Sequence, residues 1–186
     1  MNARFALMAV FASGLGVLLY LHLKPAKASG PLAHVENAFT FRIHSPYESV
    51  APLFGAWKEK VWAGDEWKPT FLYPQPARDI EGAVFTIEHG HAHAHATWVN
   101  TALDLQTGHV QYVYVIPEKQ AVRIDIHLAR HEGPEWTDVN VVYQRTALEP
   151  DFNSRVVELG DKDRQSAPEW SSAIERYLRS SQPNPE

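Results

Sequence analysis

Five stretches in the second half of the chain alternate apolar with polar residues: Ala83 to His89, Thr97 to Asp104, Val110 to Pro117, Val122 to Leu128 and Thr137 to Arg145. A period of two is the pattern of half-buried strands. Phe39 to His44 belongs with them, with Phe39, Phe41 and Ile43 alternating against Thr40, Arg42 and His44. Short turns at Gln106-Thr107-Gly108, Glu118-Lys119-Gln120 and His131-Glu132-Gly133-Pro134 join the later strands, so neighbours run antiparallel. Between the first strand and the rest, Ser45-Pro46-Tyr47-Glu48 predicts a short capped helix carrying Val50, Leu53, Phe54 and Trp57. Lys58 to Pro76 reads as loops with one short strand near Thr70.

The period changes near the end. Trp170, Ala173, Ile174, Tyr177 and Leu178 fall on one helical face behind a second Ser-x-x-Glu box at Ser166 to Glu169. A shorter helix is predicted over Phe152 to Leu159, with a break or kink at Gly160 or Pro168. Local strand pairings with helices on one side predict an α+β domain, a curved antiparallel sheet of about six or seven strands closed round a C-terminal helix. Its expected bounds are 39 to 180, after a linker over 29 to 38 marked by Gly30-Pro31, and before a flexible tail, 181 to 186.

The first 28 residues follow a different rule. Arg4 precedes an uncharged run from Phe5 to Leu23, which predicts an export signal or a membrane anchor. Ala26-Lys27-Ala28 supplies a small-x-small cleavage pattern, while 19 residues as helix reach about 28 Å, enough for the hydrocarbon core. Cleavage and anchoring both remain open, and the domain is expected on the exported, periplasmic side. Residues 1 to 28 hold three of the 17 basic residues and none of the 22 acidic ones, so the remainder carries a net charge of −8. A nucleic-acid partner does not fit that balance. The chain has no cysteine, which removes disulfides and thiolate chemistry.

This order of elements resembles the START-like helix-grip superfamily, also called SRPBCC, which includes polyketide cyclases, birch-pollen-allergen-like proteins and lipid-transfer domains. The local likeness is to an uncharacterised bacterial branch. It lies in Leu53-Phe54 through Trp62, Trp67-Lys68-Pro69, Leu72-Tyr73-Pro74, Gly82 to Thr86, His89-Gly90 and Thr97-Trp98-Val99. Val113 to Pro117 and Val141 to Leu148 continue it, so that it spans about Phe39 to Leu178. The resemblance implies a deep pocket between the concave sheet and the C-terminal helix, used for apolar or aromatic ligands such as lipids or isoprenoids. It carries no reaction with it, and no catalytic residue is assigned.

With that pocket in view, the aromatic residues become candidates for its lining: Trp57, Trp62, Trp67, Phe71, Tyr73 and Phe85 from the first half. Trp98, Tyr112, Tyr114, Tyr143, Trp170 and Tyr177 join them from the second. Rings of this kind shape an apolar guest and orient it through Trp and Tyr polar tips, and ordinary core packing is the competing reading. A cyclase or hydrolase using polar groups in the same pocket, such as His127 or Tyr143, is the alternative function.

His89 to His95 is the most unusual string. His91, His93 and His95 could hold zinc or copper through neutral imidazoles, against a solvated hairpin tip as the plain reading; no other cofactor is expected. Arg123, Asp125 and His127 share one strand face opposite Val122, Ile124 and Ile126, which places them on the outer side of the sheet. No nucleophile elbow, phosphate loop or dinucleotide fingerprint is present.

Overall fold

The computed structural model describes residues 30–89 and 94–181. Seven strands form one antiparallel sheet: β1 (His34–Ile43), β2 (Thr70–Tyr73), β3 (Val84–His89), β4 (Ala94–Asp104), β5 (His109–Ile116), β6 (Gln120–Arg130) and β7 (Thr137–Ala147). The spatial order is β1-β7-β6-β5-β4-β3-β2, so only the β1–β7 contact joins strands that are distant in sequence. The other neighbours are consecutive in sequence, so each pair from β2 to β7 folds back on itself.

Two helices follow the sheet, α2 (Asn153–Asp163) and α3 (Ala167–Ser181), and a single turn, α1 (Tyr47–Val50), precedes β2. Helix α3 buries the predicted face: Ile174 is wholly buried, and Trp170, Ala173, Tyr177 and Leu178 pack against the core. From β1, Phe39 and Phe41 meet the Trp170 ring edge-on, with centroids 5.5 and 6.4 Å away. This is the helix-grip arrangement expected of the sequence. Among the described residues no helix is long and apolar enough to cross a membrane. The candidate export segment, 1 to 28, lies outside the described residues.

Four local expectations differ from the structure. Strand β1 begins at His34, inside the stretch read as linker, because its backbone pairs with β7 from His34 opposite Thr146 onward. The Ser45 box makes no side-chain cap. Glu48 instead accepts hydrogen bonds from Arg130 Nε (3.1 Å) and NH2 (2.7 Å), and the same guanidinium lies over the Tyr47 ring. Gly160 does not break its helix; the break falls at Arg164 to Ser166. Gly160 sits inside α2 where the helix crosses β1, and a Cβ there would lie 2.6 Å from Asn37 Nδ2 and 2.9 Å from Val35 Cγ2. Its absence of a side chain serves close packing, not helix termination. At the second box Ser166 Oγ donates to the Lys162 carbonyl, and among the described residues no N–H of α3 donates to it, so it does not cap that helix.

Candidate functional site

A cavity of about 720 Å³ lies between the sheet and α3. That volume is within the usual range for small-molecule sites. Its walls come from four places: the segment Glu59 to Trp67 ahead of β2, the concave face of β4 to β7, the first turn of α3, and Ala173 and Arg176 one turn on. The segment is held by its own indoles. Trp62 Nε1 donates to the Leu53 carbonyl and Trp67 Nε1 to the Ala56 carbonyl, both at 2.8 Å. Asp79 accepts from the backbone N–H groups of Trp57 (2.7 Å) and Lys58 (3.0 Å), starting the 3-10 turn Lys58–Val61 that carries Glu59.

Six of the twelve aromatic candidates line this space: Trp62, Trp67, Trp98, Tyr114, Tyr143 and Trp170. Five of them meet in two groups of rings. Trp62 and Trp170 have centroids 5.6 Å apart, Trp67 and Trp98 meet edge-on at 5.5 Å, and Trp98 stacks on Tyr114 at 4.0 Å. The other six do not line it. Phe71, Phe85 and Tyr112 are buried in the core behind the wall, and Tyr177 packs on the core from α3. Trp57 and Tyr73 are 42% and 57% exposed and lie outside the cavity.

Three charged residues at or behind the wall were not among the candidates. Glu59 lines the cavity and is only 4% exposed. Its Oε1 accepts from the Tyr112 hydroxyl at 2.8 Å and, at 3.4 Å, from the Gly55 N–H. Its Oε2 accepts no hydrogen bond among the described residues. Burial pushes this carboxyl up to about 7, against the lowering effect of those two bonds, and the charge of Asp79 adds to the rise. A carboxyl in this state can hold or release a proton near neutral pH.

Arg145 and Asp163 are the other two, 7% and 6% exposed. The guanidinium donates twice to the carboxylate, Nε to Oδ2 at 2.6 Å and NH2 to Oδ1 at 2.7 Å, and NH1 donates to the Tyr114 hydroxyl at 2.9 Å. Burial disfavours its charge, but the bonds to Asp163 and Tyr114 outweigh burial and hold it protonated. Tyr143 stands beside this pair with the Arg145 guanidinium 5.0 Å over its ring, and its hydroxyl makes no hydrogen bond among the described residues. Burial, with the charge of Asp163, pushes the Tyr143 phenol well above its ordinary value.

One signal for Arg145 was present in the sequence. It is in phase with Val139, Val141 and Tyr143, the inward set of β7, so strict alternation already placed a guanidinium inside. Glu59 left no such trace, since Lys58-Glu59-Lys60 reads as a solvated charged turn.

The second constellation lies on the convex side. Asp125 is where alternation placed it, between Arg123 and His127, and β5 adds His109 and Gln111. His109 Nε2 contacts Asp125 Oδ1 at 2.8 Å, His127 Nε2 lies 3.4 Å from the same oxygen, and Gln111 and Arg123 donate to Oδ2 at 3.0 and 2.9 Å. Burial raises this carboxyl, but the bonds from His109 and Gln111 and the charges of His109 and Arg123 outweigh it and hold it below its ordinary range. His109, Asp125 and His127 have the donor set of a metal site, with ligand atoms within 4.8 Å of one another. Arg123 already supplies the cationic partner, so the carboxylate is matched without an ion. His127 is thus outside the cavity and removed from any chemistry within it, whereas Tyr143 is inside. His91 and His93, and the side chain of His95, lie outside the described residues.

The sheet gripping its C-terminal helix is the fold of the START-like, Bet v 1-type SRPBCC proteins. Solved structures bear this out. Norcoclaurine synthase from Thalictrum flavum, in complex with dopamine and hydroxybenzaldehyde, matches with a TM-score of 0.58 at 10% identity, covering 87% of this chain and 99% of that one. A protein of unknown function from Staphylococcus aureus matches at 0.59 and 13% identity, covering 81% and 96%. CalU16 from Micromonospora echinospora matches at 0.53 and 11% identity, covering 84% and 88%. At these identities the likeness is one of fold. No protein-family model and no curated protein matches the sequence.

Proposed function

We propose that the domain binds a small, largely apolar, ring-bearing molecule in the cavity under α3. The observation that carries this reading is the space itself. About 720 Å³ stays unfilled beside Trp62, Trp67, Trp98 and Trp170, although Ile174 on the same helix is packed to zero exposure. A core with no guest to hold would close such a gap, since interiors pack to the density of organic crystals. The fold supports the reading too: its solved examples include one holding two aromatic compounds. Titration of the full chain with N-phenyl-1-naphthylamine tests it. Saturable binding by the wild type, abolished in Ala173→Trp, is expected; no binding, or binding indifferent to that substitution, overturns it.

A second reading has one observation in its favour. Glu59 is a buried carboxyl poised to exchange a proton in the cavity, which a cyclase or hydrolase needs and a plain carrier does not. Turnover would show a pH–rate profile with an inflection near 7 that Glu59→Gln removes. A ligand recovered chemically unchanged after prolonged incubation argues for carriage.

We also propose that the domain works on the exported side of a membrane, on the strength of the run from Phe5 to Leu23 and of Ala26-Lys27-Ala28. Amino-terminal sequencing checks it: a chain starting at Ser29 means cleavage, and an intact chain in the membrane fraction means an anchor. An intact chain in the cytoplasmic fraction overturns it. Zinc or copper at His91, His93 and His95 is a proposal of the same standing, refuted if substituting all three leaves the metal content of the purified protein unchanged.

A further inference from the structure

We infer that the cavity's ligand carries a protonated amine, its ammonium group against Glu59 Oε2 and its apolar body on the tryptophan rings. This rests on the cavity being a small-molecule site and adds the chemical class of what it takes.

The hydrogen bonds to the Glu59 carboxyl converge on Oε1, from Tyr112 and Gly55, and among the described residues leave Oε2 without a donor on a residue that lines the cavity. The groups that act on it from neighbouring elements are acidic or phenolic: Asp79 from the segment before β3, Tyr112 from β5 and Tyr143 from β7.

Three nearby cations are engaged elsewhere. Arg145 is bound twice by Asp163, Lys60 sits 4.0 Å over the Trp57 ring on the outer side, and Lys58 acts on Asp79. From α3 the cavity receives one residue of each sign, Glu169 and Arg176. No salt bridge reaches Glu59 among the described residues. A buried carboxylate with no counterion is costly, which keeps the proton on Glu59 up to about pH 7, and a cation beside Oε2 would favour the ionised form.

The rest of the wall suits that cation. Tryptophan faces are the strongest side-chain partners for an organic cation, and Trp62, Trp67, Trp98 and Trp170 all border the space. A carboxylate-bearing ligand would meet Glu59 with like charge. A neutral one could share a hydrogen bond with Glu59 but would leave its carboxylate without a counterion. An amine cation converts Glu59 from a buried liability to one half of an ion pair.

Three probes of similar size separate these cases: phenethylamine, phenethyl alcohol and phenylpropanoate, each titrated into the full chain by calorimetry at about pH 8. The amine is expected to bind about tenfold or more tightly than either of the others. Its affinity should fall about tenfold on going to about pH 6, because Glu59 must release a proton with a midpoint near 7 before pairing, while that of the alcohol stays level. In Glu59→Gln the preference for the amine should vanish. The selectivity and the pH dependence need only the wild type, so they decide the matter even if the variant does not fold. Equal binding of amine and alcohol, or an amine preference that survives in Glu59→Gln, overturns the inference. If N-phenyl-1-naphthylamine still binds, the cavity reading stands without it; if no probe binds, both fall.

Discussion

Arg145 of β7 and Asp163 at the end of α2 are joined by two hydrogen bonds, 2.6 and 2.7 Å long, in a position where neither side chain is more than 8% exposed. The pair ties the first helix of the C-terminal pair to the sheet. It also places a guanidinium beside the cavity with its charge already matched, so that Tyr114 and Tyr143 are oriented without presenting a free cation to a guest.

Breaking that pair from one side should be expensive. Asp163→Ala leaves Arg145 buried and uncompensated, and a loss of about 3 to 5 kcal/mol is expected in urea unfolding. Replacing both, as Arg145→Met with Asp163→Leu, should cost less than the single substitution, because the desolvation of two ions disappears with their attraction. A double variant less stable than Asp163→Ala would contradict this account.

Glu59 should make the folded state weaker as pH rises. Its carboxyl is raised to about 7 when folded, against an ordinary value of 4.5, so between those values the folded chain binds more protons than the unfolded one. The stabilising contribution of the protonated form is complete at the acid end of that window and is lost as pH rises through 7. Glu59→Gln keeps an acceptor for Tyr112 and cannot ionise. It is expected to be more stable than wild type at about pH 8, by up to about 3 kcal/mol, and to lack the slope across the window. Parallel slopes in the two proteins would rule out burial of this group as the cause.

Asp125 should act in the opposite direction. Its carboxyl is held below its ordinary range, so it contributes stability above that range and loses it as pH falls through the folded value. Thermal melts of Asp125→Asn should therefore fall below wild type at neutral pH and converge with it at about pH 3 or lower. A gap that stays constant down to that pH would mean the cluster acts by packing alone.

Gly160→Ala runs against helix propensity. Alanine is favoured over glycine by about 1 kcal/mol inside a helix, yet here the new methyl would press on Asn37 and Val35 of β1. Overpacking of this kind costs about 1 to 3 kcal/mol, so a net loss is expected, smaller if the Asn37 side chain swings aside. A chemical-denaturation midpoint above that of wild type would show that α2 and β1 are less closely apposed.

The period of two in β3 to β7 is a local property, written by the residues that must face the core, and it announced which strands exist and that they pair in order. The same alternation put Asp125 and His127 outside and, had it been followed strictly, Arg145 inside. The i, i+3, i+4 spacing of Trp170, Ala173 and Ile174 named the helix face that meets the sheet. Ends were less legible. His34 to Ala38 carries little apolar signal, and what makes it a strand is β7 waiting a hundred residues later.

The sequence alone therefore determined the elements, their antiparallel order and the helix-grip architecture, because burial of one face imposes a period on each element. Only the tertiary structure decided which aromatic side chains wall the cavity and which carboxyl is stranded there. Trp62 and Trp57 are near neighbours of the same chemistry, yet one turns inward and the other outward according to how the segment between α1 and β2 is anchored on Leu53, Ala56 and Asp79. Glu59 owes its raised proton affinity to being enclosed by strands that lie far from it in the chain, and desolvation is a property of the enclosure rather than of the residue.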